Sequence, residues 1–191
     1  MSARIATYIA GAALAGLATT GIRAHAQSAR FEVSVAPSAY SGPLTGRLVI
    51  VVSKQEKPEP RLAIGPRGPA VFAVDLQQLA PGHAAIVASD AASYPLDLAA
   101  LPPGDYYVQA VVNVYEHLHR SDGHDIWAHM GDGRVEFFNF AAGNLYSDVQ
   151  HVRVAKGTTV HLTVSHVIPE SPRPADTEWL KHVTIQSQLL T

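Results

Sequence analysis

Between His117 and Gly133 the chain reads HLHRSDGHDIWAHMGDG, a stretch that holds four of its ten histidines. Imidazole ligates zinc and copper and titrates near neutrality, so this cluster is the first candidate for chemistry. Asp122-Gly123 is a preferred pair for a two-residue type I′ hairpin turn. A turn there sets Arg120 opposite Asp125, His119 opposite Ile126, Leu118 opposite Trp127 and Glu116 opposite His129. In that register His117, His119 and His124 share the outer face, His129 lies on the other, and Leu118 meets Trp127 on the core side. Three imidazoles on one face could ligate zinc or copper. The plain alternative is an exposed, histidine-rich face whose rings bond to neighbouring structure, and spacing specifies no fourth ligand.

Other chemistry has less to stand on. The sequence contains no G-x-S-x-G nucleophile elbow, no H-E-x-x-H and no glycine-rich phosphate cradle. Histidines and aspartates are available for a triad, but no serine sits in a strand–turn–helix setting. Paired acids for glycoside hydrolysis cannot be singled out among scattered carboxylates. Tyr107, Tyr115 and Trp179 could form a sugar-binding platform, although isolated aromatics usually serve packing. The chain therefore reads as non-catalytic, with no cofactor unless the histidines hold zinc or copper.

The elements that must position these residues follow a period of two, bounded by Pro and Gly turns. FEVSVA (31–36) is a strand, and GRLVIVVSK (46–54) is a longer one whose continuous apolar centre predicts burial on both faces. QEKPEP is a solvated charged turn, and AVFAVD (70–75) is the next strand. After Pro102-Pro103-Gly104, the even positions Tyr106, Val108, Ala110, Val112 and Val114 form a core face. Gln109, Asn113 and Tyr115 lie on a largely polar one. Tyr106 either bonds upstream backbone in the manner of a tyrosine corner or is a core ring capped by another acceptor. SDVQHVRV and TTVHLTVSHV flank Ala155-Lys156-Gly157 and read as a second hairpin. PESPRP (169–174) is a stiff linker or edge, and WLKHVTIQSQLL one more strand. The pattern is that of an all-β chain, an antiparallel β-sandwich.

The first residues read as a leader. Arg4 precedes an apolar run, and Ala24-His25-Ala26 forms an A-x-A cleavage signature, so residues 1–26 are expected to be a signal peptide. Its removal takes away two arginines and no acid, so a formal charge of −2 becomes −4. That balance provides no basic field for nucleic acid, and no later apolar run is long enough to span a membrane. The chain has no cysteine, which excludes disulfides and thiolate-bound zinc. A periplasmic or secreted location is expected.

Three stretches, in order, carry a resemblance: SYPLDLAALPPGDYYVQAVVNVYEHLHRSDGHDIW, AAGNLYSDVQHVRV and DTEWLKHVTIQSQLL. Together they resemble the N-terminal region of large secreted bacterial hydrolase-like proteins of the esterase type, and they cover roughly the last hundred residues. The matching motifs are Tyr107 to Ala110, His119 to His124 with Trp127, and Gly143 to Ser147, whereas His117 and His129 depart from the pattern. The resemblance implies an immunoglobulin-like sandwich that precedes an α/β-hydrolase domain. Residues 27–168 would be the sandwich, and 169–191 a Pro-rich linker with a strand that begins a second domain absent here. No catalytic residue transfers. The expected function is an exported accessory module whose partner is a hydrolase domain or another protein. The rivals are a periplasmic metal-binding protein using His117, His119 and His124, and a surface module that binds carbohydrate or protein.

Overall fold

The computed structural model of the chain describes residues 28–130, 137–172, 175–183 and 185. The expected leader, 1–26, and the end of the expected C-terminal strand, 186–191, lie outside them. The described chain is mostly β-strand, in one curled nine-stranded sheet and one separate hairpin. No helix among these residues is long and apolar enough to cross a membrane.

The strands are β1 (Arg30–Val35), β2 (Leu44–Ser53), β3 (Ala70–Leu79), β4 (Ala85–Val87), β5 (Ala92–Tyr94) and β6 (Gly104–Val114). They continue as β7 (Glu116–His119), β8 (Asp125–Ala128), β9 (Leu145–Ser147), β10 (Gln150–Val154) and β11 (Thr159–Val167). The large sheet runs β4-β1-β11-β9-β6-β2-β3-β5, with β10 also on β6. All its pairings are antiparallel except β1 with β11, which run parallel from Arg30 opposite Thr159 to Val35 opposite Val164.

The sheet curls because strands far apart in its order share one core. Phe31 and Val33 of β1, Leu48, Ile50 and Val52 of β2, Phe72 of β3 and Val160, Leu162 and Val164 of β11 are all buried together. The Phe31 and Phe72 rings stack with centroids 6.4 Å apart. β2 is buried on both faces, as its apolar run predicts. Val49 and Val51 form a smaller cluster with Val111 on the other side, against Ile64, Phe138 and Tyr146.

β6 departs from the expected half-polar strand. Its even positions from Tyr106 to Val112 enter the main core, but Gln109 and Val111 are fully buried too. Residues 59–64 and 137–147 contribute side chains that cover that face, so Gln109 bonds to protein. Its side chain accepts from the Arg61 backbone N–H at 2.9 Å and donates to the Ser147 carbonyl at 2.9 Å and to Glu59. The charged turn is solvated from Gln55 to Pro58, but the residues at and after its end are drawn in: Pro60 is buried, and the Arg61 side chain is 14% exposed, donates to the Asn139 carbonyl and lies over the Tyr146 ring. The tyrosine hydroxyl at Tyr106, 4% exposed, donates to the Pro102 carbonyl at 2.8 Å. That is the upstream-backbone bond of the two options its position allowed.

The expected second hairpin forms a turn but not a ladder. The Thr158 N–H donates to the Ala155 carbonyl at 3.1 Å, and then the two strands part. β10 pairs with β6, whereas β11 pairs with β1 and β9. Both strands still point valines into the core, since Val154, Val160 and Val164 are all buried there. Beyond β11 the described residues contain no strand, and the segment from Asp176 closes on itself. The Thr177 N–H donates to the Leu180 carbonyl, and the His182 N–H and ring both meet Asp176. The His182 backbone N–H, then its ring, holds the Asp176 carboxyl below its ordinary pKa.

Candidate functional site

The histidine-rich hairpin is formed by β7 and β8, at the place the Asp-Gly pair marks but with a longer loop. The Gly123 N–H donates to the Arg120 carbonyl at 3.0 Å, and the Arg120 N–H donates to the His124 carbonyl at 2.9 Å. Ser121, Asp122 and Gly123 therefore make a three-residue loop. Gly123 takes the left-handed position, φ +82°, that closes such a loop and that a side chain would strain. The register moves by one residue, so Leu118 faces Ile126, His117 faces Trp127 and His119 faces Asp125. A one-residue shift exchanges the two faces of one strand against the other. Trp127 thus leaves Leu118 and joins the histidine face, and both it and Ile126 are exposed.

The three sequence-level metal candidates are divided by this shift. His117 and His119 stay together, with ring centroids 4.5 Å apart in an edge-on arrangement. His124 falls on the opposite face, where its backbone N–H and ring both meet Asp122, at 3.1 and 3.2 Å. Asp125 takes its place. The His119 Nδ1 lies 2.5 Å from one oxygen of Asp125, and the His117 Nε2 lies 3.6 Å from the other. One donor atom from each of the three residues lies within 4.8 Å of the others. His129 sits apart, with its Nδ1–H donating to the Val114 carbonyl at 2.9 Å.

Packing fixes His117 more firmly than His119. Its ring stacks on Trp127 at 4.8 Å between centroids and 24° between planes, and it is less exposed than His119. Trp127 also lines a cleft of about 440 Å³ with Tyr115, Thr45, Arg47, Asp75 and Gln78. Arg47 and Asp75 face each other across β2 and β3 in a two-pronged ion pair at 2.7 and 3.1 Å. Those hydrogen bonds hold the Asp75 carboxyl below its ordinary pKa and raise that of Arg47. The cleft wall is bent by a bulge between Leu44 and Gly46, where Gln78 adopts φ 52° and its N–H and side chain donate to the Thr45 hydroxyl.

The aromatic residues considered for sugar binding do not gather. Tyr107 stacks on His151 at 4.6 Å, while Tyr115 lines the cleft. Eight residues of extended chain separate them, roughly 26 Å at the usual rise per residue. Asp125 and Trp127 were not singled out as ligand or ring partner, yet the alternation held both. A three-residue loop places residues 117, 119, 125 and 127 on one face, and D-G followed by His fits either loop length. The polar set of buried Gln109 and Asn139 with partly covered Glu59 and Arg61 had no comparable signal, because a Pro-rich charged stretch reads as solvated. No protein-family model, curated protein or solved structure matches this chain.

Proposed function

We propose that the chain is an exported accessory module with an immunoglobulin-like sandwich, which docks onto an α/β-hydrolase-type partner domain rather than catalysing a reaction. The observation that carries this reading is exposed apolar surface on the loop beside the end of β11, with further apolar side chains exposed in the segment that follows. Val167 at the end of β11 and Phe140 are about half exposed, and Phe137 is 79% exposed. The loop that bears the two phenylalanines is tied to this exit, since the Gly143 N–H donates to the Ile168 carbonyl and the Ile168 N–H to the Asn144 carbonyl. The departing segment then presents Trp179 at 89% and Ile185 at 84% exposure. Exposed large apolar side chains such as these mark a contact surface. The sandwich assignment draws support from the Tyr106–Pro102 bond and from a core shared by strands at opposite parts of the sheet order. The location rests on the leader-like residues 1–26.

Mixing tests the docking. A separately purified α/β-hydrolase domain of the resembled esterase type, from the same organism, should co-elute with the full chain on gel filtration. It should not co-elute with a chain lacking residues 176–191, nor with one carrying Trp179→Asp and Ile185→Asp. Separate elution of the full chain, or equal co-elution of all three, would count against docking through this surface.

A further inference from the structure

We infer that His117, His119 and Asp125 form a three-donor site for a divalent transition cation of the zinc and copper class. The inference stands apart from the docking surface, which lies elsewhere on the chain. It also differs from the ligand set that spacing suggested, because Asp125 replaces His124.

The donor chemistry selects the ion. Two imidazole nitrogens and one carboxylate oxygen are a common set for zinc and suit copper(II), whereas calcium and magnesium need more oxygens than this face offers. One donor atom from each residue already lies within 4.8 Å of the others. Ligand atoms about 2.0–2.2 Å from zinc lie roughly 3.3–3.5 Å apart in a tetrahedron. The 3.6 Å His117–Asp125 and 2.5 Å His119–Asp125 separations involve different carboxylate oxygens, so side-chain rotation about these three residues must bring one oxygen and both ring nitrogens to that spacing.

As they stand, one Asp125 oxygen is hydrogen-bonded to the His119 ring and the other lies 3.6 Å from the His117 Nε2. An ion between the three would take over both interactions and leave no donor unpaired. His117 is held by its stack on Trp127, so one of the three ligands is preordered at no cost to the ion. The cross-strand pair His119–Asp125 is fixed by the ladder register, which the Gly123 loop sets. All three side chains reach solvent, so at least one coordination position remains for water or for a donor from another molecule.

Binding requires neutral imidazoles, and protons therefore compete with the ion.

Isothermal titration of the chelator-treated full chain with zinc chloride, and separately with copper(II), tests the site. One ion per chain should bind saturably. His119→Ala and Asp125→Asn should each weaken binding by roughly tenfold or more, since even partners that only orient a ligand change affinity by that factor. His124→Ala should leave affinity within about twofold, a change that corresponds to under half a kcal/mol. Far-ultraviolet circular dichroism checks that each variant is folded. Should one fail that check, the wild-type histidine ring signals decide, because zinc should shift those of His117 and His119 and not that of His124. Absence of saturable one-to-one binding, equal binding by His119→Ala and Asp125→Asn, or a loss on His124→Ala as large as theirs would each overturn the assignment.

Discussion

Tyr106 shows how much one hydroxyl can contribute where a strand begins. Its ring is in the main core, its oxygen reaches back four residues to the Pro102 carbonyl, and Lys54 Nζ lies 3.5 Å above the ring centroid. Tyr106→Phe keeps the ring and its cation but removes the hydroxyl that, among the described residues, donates to the Pro102 carbonyl in a part-buried bond. The expected loss is about 1–2 kcal/mol of folding stability, the range for an orphaned acceptor, read as a lower denaturant midpoint at unchanged slope. No change in midpoint would mean that water replaces the hydroxyl freely. This residue was half legible in the sequence. Its place after Pro102-Pro103-Gly104 pointed to a backbone bond, and only the fold could choose between that carbonyl and another acceptor. His124 illustrates the opposite outcome, since its type drew attention while its face depended on a loop of two residues or three.

Among the elements, the positions of the longer strands and their main-core faces were written into the alternation, but partners were not, and the short β4 and β5 had no such pattern. Period two tells which side chains point inward, and β2, β6, β10 and β11 all obey it on the main-core side. It says nothing about which backbone lies alongside, so a short Ala-Lys-Gly connection looked like a ladder although β10 and β11 go to different neighbours. Nor does it foresee a face being covered by a loop. Asn144 shows what that covering requires. Its side chain accepts from the Val114 N–H at 2.8 Å and donates to the Phe138 carbonyl at 2.7 Å and to Asn113 at 3.1 Å. The residue is fully buried, and it fastens the 137–142 loop to the end of β6. Asn144→Ala orphans two backbone groups at once and should cost about 2–4 kcal/mol. Hydrogen exchange should then quicken at the Val114 amide and leave the β2–β3 pairing protected until global unfolding. A variant as stable as the wild type would show the loop to be held by its apolar contacts alone.

At the scale of the whole molecule, the segment from Asp176 onward is the piece whose membership can be weighed directly. Its described residues bond mainly within the segment and leave Trp179, Val183 and Ile185 exposed. Removing residues 176–191 should therefore change stability by no more than about 1 kcal/mol, the scale for groups outside a core. Denaturant melts of the two chains check this, and loss of the cooperative transition in the shorter one would make the segment part of the fold. The opposite end behaves differently. β1 lies in register with β11, and the bond between Arg30 and Thr159 spans 129 residues of sequence. A growing polypeptide releases its beginning first, at about 5–20 residues per second, so the earliest strand waits roughly 6–26 s for the one that completes its ladder. Until then only the three residues of β4 pair with it, and Phe31 and Val33 have most of their burial still to come. Such distant pairing is slow to find, and an unfinished strand edge is open to the wrong neighbour. Whatever handles the nascent chain thus meets β1 still without its longest ladder until residue 159 and those after it have emerged.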